Sequence, residues 1–134
     1  MKHCICGEKK AFEACCGRFL SGKAVAKTPE QLMRSRYAAY ALGGHGEYLM
    51  TTWFPVSAQG LTIAELSEKT HDWERLEVLN ATQQGDQATV EFKAWFRPSS
   101  ESDALESEEL EVIHEVSEFI RMKSRWFYIG GQVS

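Results

Sequence analysis

The chain has 134 residues, 43% hydrophobic and 11% aromatic, which gives room for one ordinary domain with a real core plus a small appendage. No apolar run approaches the roughly 18 residues that a membrane-spanning helix needs, so a membrane protein is excluded and a cytoplasmic one is the expectation. The net charge of −4 is uneven: residues 1–28 carry six basic and two acidic side chains, the remainder nine basic and seventeen acidic, too acidic a body to attract nucleic-acid backbones non-specifically.

All four cysteines lie in the first sixteen residues, as Cys4-Ile5-Cys6, an eight-residue spacer, and Cys15-Cys16. Zinc held by four thiolates at about 2.3 Å folds peptides too short to own a core. The spacing suits it: two sulfurs come from one tight turn, two from another, and the spacer lets the chain double back. Gly7 and Gly17 follow the two pairs and leave the backbone free to aim amides at the sulfurs. Two disulfides, in any of three pairings, are the alternative. They belong to oxidising compartments, whereas Met1-Lys2-His3-Cys4 begins with no apolar signal stretch. An exposed, low-pKa redox pair is a third option. His3 could replace one thiolate, although an exposed terminal histidine is the simpler reading. Zinc with four thiolates lowers the side-chain charge of the head by two, which further weakens a nucleic-acid role.

The head ends near Leu20, and residues 21–27 read as a linker between a metal-binding unit, 1–22, and a body, 28–134. Thr28-Pro29-Glu30-Gln31 announces a helix, with a capping threonine, proline at the first helical position and a box-closing glutamine. Leu32, Met33, Arg36, Tyr37, Ala39 and Tyr40 continue it as a stripe through about Leu42. Gly43-Gly44-His45-Gly46 breaks it. A second helix is expected over Glu47–Phe54, stopped by Pro55, and a third from Thr62, opened by another capping box, to about Lys69.

From Trp73 the period shifts to two. Strands are expected over Glu74–Thr82, Ala88–Arg97, Leu110–Met122 and Trp126–Ile129. Gln84–Gln87 makes a hairpin turn, Pro98–Glu109 an acidic loop, Lys123–Arg125 a turn and residues 130–134 a fraying end. Helices followed by an antiparallel meander indicate an α+β fold, with the helices on one face of a curved sheet; such a cone can enclose a pocket.

The head resembles the SEC-C motif, C-x-C-x8-C-C, known from the tail of the SecA preprotein translocase; Gly7, Lys10 and Phe12 also fit, while Ile5 replaces the usual proline. In the body, Leu32–Tyr37, Tyr48-Leu49, Thr52-Trp53, Pro55, Trp73 and Trp126–Ile129 are similar to the YchJ family. Those bacterial proteins join a SEC-C head to a nuclear-transport-factor-2-like cone, the fold of ketosteroid isomerase and SnoaL-type enzymes. The resemblance covers nearly the whole chain. It implies zinc and the fold, and no reaction. Relatives often carry a second motif at the carboxyl end; this sequence shows none, so one metal site is expected.

Three functional classes follow. The favoured one is a non-enzymatic adaptor whose zinc head presents Lys9, Lys10, Phe12 and Arg18 to an acidic protein partner, as the resemblance to the SecA tail, which docks on the acidic SecB chaperone, implies. The alternative is a small-molecule binder or an isomerase- or hydrolase-like enzyme using the cone. Its pocket candidates are Arg36, Tyr37, Tyr40, Trp53, His114 and Glu118. His114 and Glu118 share a strand face with Leu110, Val112, Val116, Ile120 and Met122, so a proton-transfer pair pointing inward is one reading; the favoured one is a wall histidine and a glutamate at the solvated rim. A buried Arg36 needs an acceptor, and Arg34 is expected on the exposed side. A hollow above about 300 Å³ would favour this class, and the aromatic rings would equally well fill a core. The third class is a homodimer through the outer sheet face, with Trp95 and Phe119 as contacts.

Overall fold

The computed structural model describes residues 3–69, 71–97 and 110–133. A single 3₁₀ turn, Phe12–Ala14, leads into α1, Cys16–Leu20; α2 spans Pro29–Leu42, α3 Gly46–Thr51 and α4 Ile63–Ser67. Four strands follow: β1 Asp72–Gln84, β2 Gln87–Arg97, β3 Glu111–Met122 and β4 Arg125–Val133. They form one antiparallel sheet in the order β1-β2-β3-β4. Register shifts in β1 at Trp73/Arg75 and Val78/Asn80, and opposite Glu118/Phe119 in β3, mark bulges, which sharpen twist and help curve the sheet. The α+β cone read from the sequence is the architecture observed.

The helix signals act as expected, with variations. The Gln31 amide donates to Thr28 Oγ1 at 3.1 Å, and Gln31 Oε1 accepts from the Lys27 amide at 2.8 Å rather than from that of Thr28. The Glu65 amide donates to Thr62 Oγ1, whose own hydroxyl donates back to the Glu65 carboxylate. The helix expected over Glu47–Phe54 stops at Thr51, because the chain then turns to pair with the sheet: the Tyr128 amide donates to the Thr52 carbonyl and the Phe54 amide to the Tyr128 carbonyl, both at 2.8 Å. The last strand also departs from expectation. Residues 130–133 do not fray but extend β4, with Gly130 opposite Glu118 and Val133 opposite Glu115. Two glycines have low strand propensity, and only the partner strand overrides it. The expected acidic loop, Pro98–Glu109, lies outside the described residues.

The sequence stripe on α2 implies one buried face, yet Leu32, Met33, Ser35, Arg36, Tyr37, Ala38, Ala39 and Ala41 are all buried. A helix buried nearly all round needs cover on two sides. The sheet and the cysteine head cover two sides, and α3 with α4 packs Leu49 and Leu66 against Ala39. One apolar cluster runs unbroken from the four cysteines and Phe19 through Leu32, Met33 and Tyr37 to Leu76, Val90 and Phe119. The expected linker is part of this packing: Ala26 is buried, and the Ala24 amide donates to the Arg18 carbonyl. Head and body, separable in sequence, share one core.

The β3–β4 hairpin turns on Lys123 and Ser124, with φ of 51° and 68°. That two-residue turn matches the twist of the strands but asks for left-handed backbone, which residues with a Cβ resist. Ser124→Gly is expected to stabilise the fold by about 1 kcal/mol, seen as a higher urea midpoint at unchanged m-value.

Candidate metal centre and cone cavity

The peptide Cys4–Gly7 closes a turn in which the Gly7 amide donates to the Cys4 carbonyl at 3.0 Å, and Gly7 takes a φ of 98° that favours glycine. The Cys4 amide donates to the Lys10 carbonyl, drawing the spacer back on itself. Cys15 precedes α1 and Cys16 opens it. Gly17 serves a different purpose from the one its position implies. It is helical, and a Cβ there would come within 2.9 Å of the Phe12 ring, so its bare backbone makes room for that ring under the second cysteine pair.

These turns bring all four sulfurs within 4.8 Å of one another. The Cys6 and Cys15 sulfurs are 3.6 Å apart, near the ~3.8 Å edge of a tetrahedron with metal–sulfur distances of about 2.3 Å. All four cysteines are unbridged and at most 7% exposed. The disulfide reading fails on that count, and the burial argues against an accessible redox pair. The electrostatics match a cation site. Cys6 is pulled down to about 5, first by its hydrogen bond with Cys16 and, against the cost of burial, by the backbone amide of Glu8. Cys15 is pushed up to about 12 by burial and by Cys6, and Cys16 is pushed up by its hydrogen bond to Cys6 and by burial. One thiolate forms readily; a second charge beside it, in a dry setting, needs a cation to balance it.

Arg34, expected on the exposed side, instead welds head to body. Its Nη1 donates to the Cys6 carbonyl at 2.7 Å, and its Nε lies 3.0 Å from a Glu30 oxygen and 3.5 Å from Glu8. The Glu30–Arg34 spacing of four was the one signal in the sequence for part of this network. Of the proposed docking residues, Lys9 and Lys10 are exposed. Phe12 packs against the core, while Arg18 donates to the Cys15 carbonyl and lies over the Phe19 ring; both hold the head together.

Between α2 and the sheet lies a hollow of about 230 Å³, smaller than the roughly 300 Å³ that would favour a small-molecule site. Arg36, Tyr37 and Tyr40 line it from α2. Trp53 stands outside it, stacked against the Arg36 guanidinium at 4.7 Å. His114 and Glu118 do not point inward. The inward residues of β3 are Ile113, Glu115, Ser117 and Phe119, which pair with Ala94, Phe92, Val90 and Ala88 of β2, and residues directly opposite in a sheet share a face. His114 lies on the outer face, 2.6 Å from a Glu91 carboxylate oxygen. The apolar series containing Leu110, Val112 and Met122 suggested the wrong face, since those three side chains are 39%, 51% and 45% exposed. The same register places Phe119, expected as a dimer contact, in the core at 1% exposure, while Trp95 is packed under Arg75 at 4.0 Å. Glu115, which the alternation placed outside, is the carboxylate of the cone. It accepts from the Ser117 and Tyr128 hydroxyls, and a Cβ on Gly131 would collide with it, so that glycine makes its place.

Residues 28–131 match the family model for the middle NTF2-like domain of YchJ. The chain is 40% identical to a UPF0225 protein of Shewanella sp. strain MR-4, over 97% of this chain and 80% of that one. It is 36% identical to a UPF0225 protein of Bordetella pertussis, over 97% and 92%. Among solved structures, a SEC-C motif containing protein from Rhodopseudomonas palustris superposes with a TM-score of 0.85 at 32% identity, covering 99% of both chains. Another from Psychrobacter arcticus gives 0.80 at 28%, covering all of this chain and 84% of that one. From end to end of the described fold, the chain belongs to the YchJ, or UPF0225, family.

Proposed function

We propose that this protein is a zinc-structured binding module in which the metal is architectural. The observation that carries this reading is the closed, buried set of four cysteine sulfurs. Four protein thiolates complete a tetrahedron and leave no position for a substrate or an activated water. Zinc suits an all-thiolate tetrahedral set of this kind. The absence of an apolar span long enough to cross a membrane, among the described residues, fits an adaptor working in the cytoplasm.

The protein purified without added metal should contain one zinc per chain by native mass spectrometry. A strong chelator should lower the thermal midpoint by roughly 10 °C or more, as expected when several kcal/mol are removed from a domain of this size. A full complement of iron, or four thiols that react freely before chelation, would overturn the assignment.

The docking surface of the head narrows to Lys9 and Lys10, the two exposed cations of the spacer. An acidic protein partner is the chemistry they fit. Exposed charges of this kind act within a Debye length of about 10 Å and weaken with salt. Captured on immobilised wild-type protein at low salt, acidic partners should be depleted at least tenfold by Lys9→Glu/Lys10→Glu. An identical set of bound proteins on the two baits would exclude this surface.

A further inference from the structure

The hollow of the cone holds two opposite charges that do not satisfy each other. Arg36 is 5% exposed. Its Nη1 donates to the Leu49 carbonyl at 2.8 Å and to the Thr52 hydroxyl at 2.7 Å, and the guanidinium also meets the Tyr40 hydroxyl. The guanidinium is flanked by the rings of Trp53 and Tyr128 at 4.7 and 4.5 Å. It makes no ion pair among the described residues. Among the described residues, the carboxylate lining the hollow is that of Glu115, fixed by Ser117 and Tyr128.

A buried cation is costly unless an anion meets it. Two charges placed only to neutralise each other would close to contact, whereas here an unfilled space is lined by both. The remaining walls are largely aromatic, among them Trp73, Phe92, Phe119 and Tyr37, whose buried hydroxyl has no partner among the described residues. A cavity of about 150 Å³ accepts a benzene ring, so about 230 Å³ accepts one ring with small substituents. A guanidinium is shaped for a planar carboxylate, and a fixed carboxylate on the sheet side is an acceptor for a hydroxyl.

We infer that the cone binds a single-ring aromatic carboxylate bearing a hydroxyl group, with the ligand carboxylate on Arg36, the ring among the aromatic walls and the hydroxyl toward Glu115. This site is independent of the head's docking surface and asks nothing of it. It was only half legible in the sequence: Arg36 was a candidate, and Glu115 was not.

The test is titration of the zinc-loaded full chain with 4-hydroxybenzoate, benzoate and phenol, followed by amide chemical shifts and by contacts between ligand ring protons and the protein. The 4-hydroxybenzoate probe should saturate with a Kd of about 1 mM or tighter. It should shift amides of α2 and of Ala94 and Ser117, and show ring-proton contacts to Phe119. Phenol, lacking the carboxylate, should bind at least about tenfold more weakly, and benzoate, lacking the hydroxyl, should fall between. Ala94→Leu, which fills the hollow from β2, should abolish the response while zinc content and spectral dispersion are kept. If that variant does not fold, the ligand-to-Phe119 contacts in the wild-type protein decide the matter alone. No saturable shift at about 10 mM, phenol binding as tightly as 4-hydroxybenzoate, ring contacts elsewhere on the surface, or an undiminished response in folded Ala94→Leu would each overturn the proposal.

Discussion

Four sulfur atoms gathered within 4.8 Å are the constraint on which the rest of this structure leans. Thiols at that separation, buried in a largely apolar setting, form a set that could hold a metal ion. Convergence has a consequence well beyond the first sixteen residues. It turns a short peptide with little core of its own into a solid cap, and that cap seals the outer side of α2. Without it the side of α2 that carries Leu32 and Arg34 would face water. The head is therefore better seen as a wall of the body's core than as an appended domain, and Arg34, reaching from α2 to the Cys6 carbonyl, is the polar seam of that wall.

The same helix links the metal site to the cone. Arg34 faces the head and Arg36, two residues on, faces the hollow. Helical geometry separates residues i and i+2 by about 200°, so they fall on opposite sides. One guanidinium finds carbonyl and carboxylate partners at once; the other is held by Leu49 and Thr52 through one nitrogen and boxed by two rings. The cation lining the hollow and the seam of the head thus sit on opposite sides of one helix.

The hollow itself follows from strand chemistry. Ala94 puts a small side chain beside Phe92 on the β2 wall of the hollow, while bulges in β1 and opposite Glu118/Phe119 sharpen the twist of the sheet. A flat sheet would collapse onto the helix and close the space. Gly131 contributes the last piece by leaving room for Glu115.

Much of this was written locally in the sequence. The cysteine spacing, the caps at Thr28 and Thr62, the alternation of β2 and the turn at Gly85 each depend on a few adjacent residues, and each reads correctly from them. The face of β3 did not, because apolar residues occupy both of its faces and only pairing with β2 decides which one is inward. His114 and Glu118 were misplaced for that reason, and Glu115 was missed. Arg34 and Arg36 carry the same chemistry two residues apart, and nothing local says which will be solvated; the head settles the first and the sheet the second. The strand through Gly130 and Gly131 likewise exists because β3 lies beside it, against the propensity of its own residues. Local order, then, was set by the chain's own neighbours in sequence, while the orientation of every group that could meet a ligand was set by contacts between segments far apart along it.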